Sequence, residues 1–472
     1  MRELLVGHFA FPVTNYLYNR KGILDHYRGL LKTERYGTGH LQELQLEKLK
    51  GLVRYVYEHV PHYRNLFDRL ALKPSDIRTL SDISKIPPLG RQDLVENRKE
   101  LIDSRFLEGS MIADRSGRPP GEPLPFAPFR RDKMVRNTSS GSTGAPTVFY
   151  EDGSRSALNW AYELRLKQWY GVRPGEKEAR LARLATAYDP DSRSLALRKA
   201  LWNQLILPGT NLSEKEYALS VERIRIFRPA TLWGYTSALT GLAEYVKTSG
   251  LDPSRWGIRL VISWAAPLYD HEKTLLEDVF SCPVTNIYGA REVGHIAAVC
   301  PAGSFHINQE NLIVESEKTG NGVTEGGELL VTNLDPSPMP LIRYRMGDIG
   351  EIGNLQCGCG RTLQVLSRLI GRTGEIFIAK DGRMISPNFW CRVFMTDKHA
   401  GKIKRFQVIY TKEKNLRIVV VKGNGYSDET ENYFRGMVRD NFSSDTDLEI
   451  KCVPDIAPHV SGKYQMVINE VN

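Results

Sequence analysis

Cysteine is scarce in this sequence, with 6 in 472 residues, so a disulfide framework is excluded and reduced thiols in a cytoplasmic chain are expected. Long apolar runs are also missing, and nothing approaches the ~18 residues that a membrane-spanning helix needs. The stretch from Leu4 to Val13 is broken by His8 and Pro12 and precedes no small-residue cleavage site, so it reads as part of the mature chain. Positive charge is present without being concentrated. Lys and Arg number 64 against 55 Asp and Glu, a net +9, but no basic block or aromatic-interleaved patch exists to form a nucleic-acid groove. A modest positive balance suits anionic small molecules such as nucleotides. No Gly-Lys-Ser/Thr triplet of a Walker loop follows any glycine-rich turn, and no internal repeat or low-complexity tract occurs.

One stretch organises what is there. In Thr138-Ser139-Ser140-Gly141-Ser142-Thr143-Gly144-Ala145-Pro146-Thr147, hydroxyls crowd around two glycines and a proline stiffens the exit. Glycines let the backbone turn so that successive N–H groups point into one concavity, an anion-binding nest. Freely rotating hydroxyls add donors at the same place. The alternative is a flexible Ser/Gly linker. Val148-Phe149-Tyr150 follow at once as a strand, which a linker would not require.

At this length two or three domains are expected. Residues 41–59 carry leucines and valines at helical spacing, and Pro61 ends that helix. Residues 116–130 hold five prolines and run extended. Helices and strands then alternate. Helical segments are predicted at Ala157–Tyr170, from Ser213 (with Glu216, a capping box) to Phe227, at Ala238–Ser249 and at Asp270–Phe280. Strands are predicted at Ala230–Tyr235, Ile258–Ser263 and Val284–Ile287. This alternation predicts a helix-covered parallel sheet whose ligand sits beyond the C-terminal strand ends. Those ends are Tyr235, Trp264-Ala265-Ala266-Pro267 and Tyr288-Gly289. From about residue 310 a β-rich region follows, with strands at Asn311–Glu315, Glu328–Asn333 and Leu341–Tyr344. Beyond Gly371, strands at Glu375–Ala379, Phe406–Thr411 and Leu416–Lys422 surround a helix from Asp428 to Phe442. The expected fold is therefore α/β. A large domain (1–371) has helix-covered, mainly parallel sheets and a β-rich subdomain, and a small mobile α+β domain (372–472) follows.

Several residues could carry chemistry. Glu292, in Tyr288-Gly289-Ala290-Arg291-Glu292, leaves a strand through a glycine turn, where a hard oxygen ligand suits Mg²⁺ or where a turn glutamate is simply exposed. Asp348 follows Gly347 and could accept hydrogen bonds from a ribose diol, or be an ordinary turn residue. Lys463 sits on a glycine-containing loop as a mobile point charge. Cys300, His306, Cys357 and Cys359 form a donor set suited to structural Zn²⁺, although neither pair has the common two-residue gap; the other reading is four reduced residues in β-turns. Cys282, Cys391 and Cys452 read as small core residues.

In this order the pieces resemble the adenylate-forming superfamily of acyl-CoA synthetases. The similarity is to the phenylacetate–CoA ligase family and its branch associated with capsular-polysaccharide synthesis. The run His26–Phe67, with Val60-Pro61-His62-Tyr63-Arg64, resembles that family too, so the similarity covers nearly the whole chain. It implies that Ser139, Ser140, Gly141, Ser142, Thr143 and Gly144 hold the β- and γ-phosphates of ATP. By the same resemblance, Ala265, Ala266 and Pro267 contact adenine, and Tyr288 stacks near it with Gly289 alongside. Glu292 would bind Mg²⁺, Asp348 the ribose, and Arg372 would support Asp348. Lys463 would bridge the substrate carboxylate and the α-phosphate. Cys/His clusters also occur in some members. Two departures stand out: Ala145 replaces a common loop lysine, and Gly374 replaces a common acidic hinge residue, moving the hinge to Arg372-Thr373-Gly374-Glu375.

The function implied is ATP-dependent activation of a small carboxylic acid to an acyl-adenylate, then transfer to coenzyme A, with ATP, Mg²⁺ and CoA as cofactors and structural Zn²⁺ besides. Passing the acyl group to an amine, a sugar or a carrier protein is the alternative, and a non-catalytic nucleotide-binding protein is the reading of another class. Trp233, Tyr235 and Trp264 are expected to line the acid pocket. Lys402, Lys404, Arg405, Lys412 and Lys414 could offer CoA phosphates a basic face, or be solvated. Oligomeric state is silent in the sequence, with a homodimer left open.

Overall fold

A computed structural model of the chain describes residues 22–109, 134–138, 147–182, 202–210, 212–318, 326–353, 356–378, 384–385, 387–394, 402–413, 415–441, 446–456 and 466–471. The Pro-rich segment 116–130, the loop residues Ser139 to Gly144, Lys414 and Lys463 lie outside the described residues.

The described residues begin with three helices, α1 (Ile23–Thr33), α2 (Thr38–His59) and α3 (Pro61–Arg69). Pro61 ends α2 but also starts α3, because proline lacks only an N–H that the first helical turn leaves unbonded. Leu49, Leu52, Val53 and Val56 of α2 enter a core shared with Ile307, Leu329 and Val331. The helical periodicity of residues 41–59 is therefore a packing stripe.

Two short strands, β1 (Val135–Thr138) and β2 (Val148–Glu151), pair antiparallel with Thr138 opposite Val148. The hydroxyl-rich stretch thus joins the two strands of a hairpin, which rules out a linker between independent units. Helix α4 (Gly153–Trp169) leaves β2, with the Asp152 carboxylate accepting from the Ser154 N–H at its start. The alternating region follows as β3 (Glu178–Ala182), β4 (Gln204–Pro208), α5 (Glu214–Phe227), β5 (Thr231–Tyr235), α6 (Thr236–Thr248), β6 (Leu260–Trp264), α7 (Asp270–Phe280) and β7 (Val284–Ala290). The capping box at α5 forms, with Glu216 accepting from the Ser213 N–H at 2.7 Å. Then come β8 (Gly294–Val299), β9 (Phe305–Ile307), β10 (Leu312–Glu317), β11 (Gly327–Asn333), β12 (Tyr344–Gly353) and β13 (Val365–Arg372).

All but the first two of these strands form one 11-stranded sheet, ordered β10-β11-β12-β13-β9-β8-β7-β6-β5-β3-β4. Strand β7 is the switch, pairing parallel with β6 and antiparallel with β8. The β-rich region is consequently an extension of the parallel half through β7. The strand expected at Leu341–Tyr344 is corrected. It starts at Tyr344, because Arg343 takes a left-handed φ of 50° that breaks an extended run. Arg343 is held there by ion pairs to Glu315 and Glu317 at 3.0 and 3.2 Å.

A second core gathers Phe377, Trp390, Phe394, Phe406, Ile418, Val420, Phe434 and Val467. It packs a four-stranded sheet of β16 (Ile403–Tyr410), β17 (Leu416–Lys422), β18 (Leu448–Val453) and β19 (Val467–Asn469) against helices α8 (Pro387–Phe394) and α9 (Asp428–Asn441). The strand expected at Glu375–Ala379 is shorter, β14 (Phe377–Ile378), paired with β15 (Met384–Ile385) after a turn of 3₁₀ helix at Thr373–Glu375.

Candidate functional site

Where β7, β12 and β13 converge, three predicted residues meet. The Tyr288 hydroxyl donates to one oxygen of Asp348 at 2.7 Å, and Arg372 Nε donates to the other at 3.2 Å. The ladder builds this contact, since Asp348 and Arg372 are direct register partners on β12 and β13. Asp348 lies inside β12 rather than at a strand end, just after Gly347, whose φ of 69° no branched residue would accept. Burial and the neighbouring Asp348 charge raise the Tyr288 hydroxyl well above its ordinary pKa, so it remains a donor. Burial works against the Arg372 charge, but Asp348 outweighs it and raises its pKa. The carboxylate is buried yet retains lone pairs, which is what recognition of a diol requires.

At the ends of β5 and β6, Ala265 takes a left-handed φ of 69°, an uncommon conformation for a residue with a Cβ. Thr236 holds this turn by bonding Ser263 at 2.7 Å and the Ala266 carbonyl at 3.5 Å. Pro267 follows at the surface. Tyr235 and Trp264, register partners, stack at 5.2 Å with 14° between their planes. Both are half-buried beside this turn. Trp233 is different. Only 2% exposed, it packs beneath the Arg180 guanidinium, 4.5 Å from the ring centroid. It belongs to the core behind the aromatic pair.

The roots of the hydroxyl-rich loop are fixed from two sides. Arg291 donates to the Thr138 carbonyl at 3.0 Å, and Arg91 donates to the Thr147 hydroxyl at 2.7 Å. Arg291 precedes Glu292, so the hairpin tip that carries Glu292 is tied to the loop root. Ala290 pairs with Gly294 as the last rung of β7–β8, leaving Arg291-Glu292-Val293 as a three-residue hairpin tip. Gly289 is required in that hairpin, because a Cβ there would meet the Gly294 carbonyl oxygen at 2.3 Å. Glu292, half-buried, makes no hydrogen bond among the described residues, so its oxygens remain available as hard ligands.

Sequence reading missed a buried polar stripe on α4. Arg155, Asn159, Glu163 and Lys167 recur every four residues and so share one face. Arg180 bonds both Glu163 and Glu178, and Lys167 pairs with Glu178. Burial opposes the Glu163 charge, yet Arg180 outweighs it and holds the carboxyl down at about 2. Arg155 is buried with neither Nη bonded among the described residues, in the field of Glu151, Asp152, Glu292 and Asp335. The four-residue spacing was the available signal. Charged residues at helical spacing ordinarily mark a solvated face, and only the tertiary placement of α4 reverses that.

The four Cys/His donors also converge, although Cys300 and Cys359 are far apart in sequence. Their ligand atoms all lie within 4.8 Å of one another. Cys300 Sγ is 3.6 Å from Cys357 Sγ, and His306 Nε2 is 3.2 Å from Cys359 Sγ. Tetrahedral bonds of about 2.0–2.3 Å imply donor–donor separations of about 3.5–3.8 Å, so the set fits zinc. His306 Nδ1 lies 3.0 Å from the Leu363 carbonyl, an orientation that points Nε2 at the thiols. The other cysteines differ. Cys282 is half-buried, its thiol pushed up to about 12 by burial, and Cys452 is exposed rather than in the core.

The basic cluster divides. Lys402, Lys404 and Arg405 sit at the start of β16 and Lys412 beyond its far end, separated by an extended strand of about 3.3 Å per residue. Arg405 moreover pairs with Asp455 at 3.1 Å.

Residues 377–470 match the family described as the CapK C-terminal domain. The phenylacetate-coenzyme A ligase of Thermus thermophilus is 28% identical over 354 residues, 72% of each chain. Protein CapK of Staphylococcus aureus is 21% identical over 438 residues, 91% of this chain and 90% of its own. Among solved structures, 2-hydroxyisobutyryl-CoA ligase in its postadenylation state superposes with a TM-score of 0.71 at 18% identity, covering 93% of this chain and 91% of that one. The chain is thus similar to the phenylacetate–CoA ligases over about three quarters of its length and to CapK over nearly all of it, and residues 377–470 match the CapK C-terminal domain.

Proposed function

We propose that this protein is an AMP-forming acid–thiol ligase, activating a small carboxylic acid with ATP and passing the acyl group to coenzyme A. A carboxylate oxygen of the acid attacks the α-phosphorus, pyrophosphate leaves, and an acyl-adenylate forms. The CoA thiol then attacks the acyl carbon and AMP departs. The observation that carries this reading is the Tyr288–Asp348–Arg372 clamp, a buried carboxylate held with free lone pairs by a tyrosine three residues before the Arg291 that bonds the root of a hydroxyl-rich loop.

In this reading Asp348 accepts the ribose hydroxyls while Tyr288 and Arg372 hold it in place. Backbone N–H groups and hydroxyls of residues 139–144 take the β- and γ-phosphates, and Ala265, Ala266 and Pro267 border adenine. Tyr235 and Trp264 wall the acid pocket, and their flat stack suits a small or aromatic acid. Lys463 bridges the acid and the α-phosphate. Catalysis is then mostly positioning and charge neutralisation. Glu292 would hold Mg²⁺, which when bound neutralises the phosphate charge that develops during adenylation. Cys300, His306, Cys357 and Cys359 would hold a structural Zn²⁺. We place the domain junction after Gly371, with Arg372 to Glu375 as the hinge.

One observation favours a second acceptor. The Thermus ligase aligns over 72% of this chain, whereas CapK aligns over 91% and the small domain matches CapK's. An acceptor met by that domain could therefore be a sugar, an amine or a carrier protein. Incubating a panel of carboxylic acids with ATP, with and without CoA, and measuring pyrophosphate and thioester separates the readings. Pyrophosphate with thioester supports the CoA ligase. Acid-dependent AMP and pyrophosphate without thioester moves the acceptor elsewhere, and no acid-dependent pyrophosphate removes the enzyme reading.

A further inference from the structure

The hairpin tip that carries Glu292 is tied to α4 by contacts that none of the roles above requires. The His295 N–H donates to Asn159 Oδ1 at 3.0 Å, and the His295 carbonyl accepts from Asn308 Nδ2 at 2.9 Å. The His295 imidazole Nε2 lies 3.3 Å from Glu163 Oε1, and Glu163 is itself bonded by Arg180. His295 is therefore held through its donor, its acceptor and its ring.

Gly294 makes the approach possible. Its φ is 81°, and a Cβ there would lie 2.5 Å from Asn159 Oδ1. The glycine thus lets the strand turn and lets the Asn159 side chain reach the backbone beyond it. On the other side of the tip, Arg291 bonds the Thr138 carbonyl at the root of the hydroxyl-rich loop. The three tip residues therefore bridge two fixed supports, the loop hairpin and helix α4. The backbone at the middle of so short a tip, which carries Glu292, has little freedom of its own.

We propose that Asn159 and Glu163, acting through His295, are positioning residues that set the Glu292 carboxylate for the metal–nucleotide complex. Neither touches substrate or reacting atoms. Partners that orient a metal ligand typically carry about 10- to 100-fold of metal affinity or activity. The inference rests on the reading of Glu292 as the Mg²⁺ ligand.

Calorimetric Kd values for ATP, measured with and without Mg²⁺, give the gain in affinity that the metal confers on the full chain. Asn159→Ala should reduce that gain about 10- to 100-fold while leaving metal-free ATP binding unchanged. Asn159→Asp keeps the acceptor oxygen for the His295 N–H and should restore most of it. Combining Asn159→Ala with Glu292→Gln should be no worse than Glu292→Gln alone, because both act on one ligand; a merely structural role would make the losses additive. Should Asn159→Ala not fold, His295→Phe removes the tie to Glu163 while keeping both backbone bonds, and the gain should still fall. A wild-type gain in the variant that folds overturns the proposal. If Glu292→Gln itself keeps the full gain, the metal reading of Glu292 fails and the proposal with it. If Glu292→Gln loses the gain and the Asn159 and His295 variants do not, only the positioning claim falls.

Discussion

The Tyr288 hydroxyl donates to Asp348 across 2.7 Å, joining β7, where the sheet changes from parallel to antiparallel, to β12 in its antiparallel half. Sixty positions separate the two residues, and the sheet alone makes them neighbours. Arg372 completes the clamp from the last residue of β13.

This arrangement predicts how the nucleotide is read. Hydrogen bonds to a charged group are worth about 1.5–3 kcal/mol, so Asp348→Ala should weaken ATP binding about 10- to 100-fold. The decisive readout is discrimination. The wild type should bind ATP better than its 3′-deoxy analogue, and the variant should bind the two alike. A variant that keeps the preference would show that the diol is read elsewhere.

The cysteine cluster predicts about one Zn per chain by elemental analysis, lost together with thermal stability in the Cys357→Ser/Cys359→Ser variant. Metal-free protein with unchanged melting would leave the four side chains as reduced turn residues.

A third expectation concerns pH. Burial raises the Glu151 carboxyl from an ordinary 4.5 to about 7, with Arg155 partly opposing the shift. A carboxyl whose folded pKa is raised favours the fold below its unfolded value. That contribution is lost as pH climbs through the folded value. Glu151→Gln keeps an acceptor for Asn137 but cannot ionise. Its Tm relative to wild type should therefore rise between about pH 5 and pH 8. A difference that stays constant with pH would show that Glu151 ionises normally.

Much of the fold was legible because local pattern and tertiary context agree. Asp270–Phe280 and Leu416–Lys422 match the expected ranges, since caps and apolar alternation delimit them. Where the two disagree, sequence reading failed. Arg155, Glu163 and Lys167 are polar at helical spacing and still lie inside, because α4 runs against the sheet and Arg180, Glu178 and His295 supply partners. Trp233 read as a pocket residue, but alternation along β5 does not tell a crevice wall from the core behind it. Glu292, Asp348 and Arg372 each stand out in the sequence only one motif at a time. That Arg291 ties the first of them to the loop root was not readable, because Thr138 stands 153 positions away.

For Lys463 the expected outcome is a split between half-reactions. Lys463→Ala should abolish adenylation and leave thioester formation from supplied acyl-adenylate nearly intact, because in the proposed role the lysine charge serves only while the α-phosphate gains negative charge. Equal loss of both half-reactions would contradict a lysine that serves adenylation alone.

The central claim is that this chain makes an acyl-adenylate, and isotope exchange between pyrophosphate and ATP tests it without any acceptor present. The account predicts exchange that depends on one or a few small carboxylic acids, requires Mg²⁺, proceeds without CoA and collapses in Asp348→Ala. Exchange absent with every acid tried, or equal with and without acid, would contradict it.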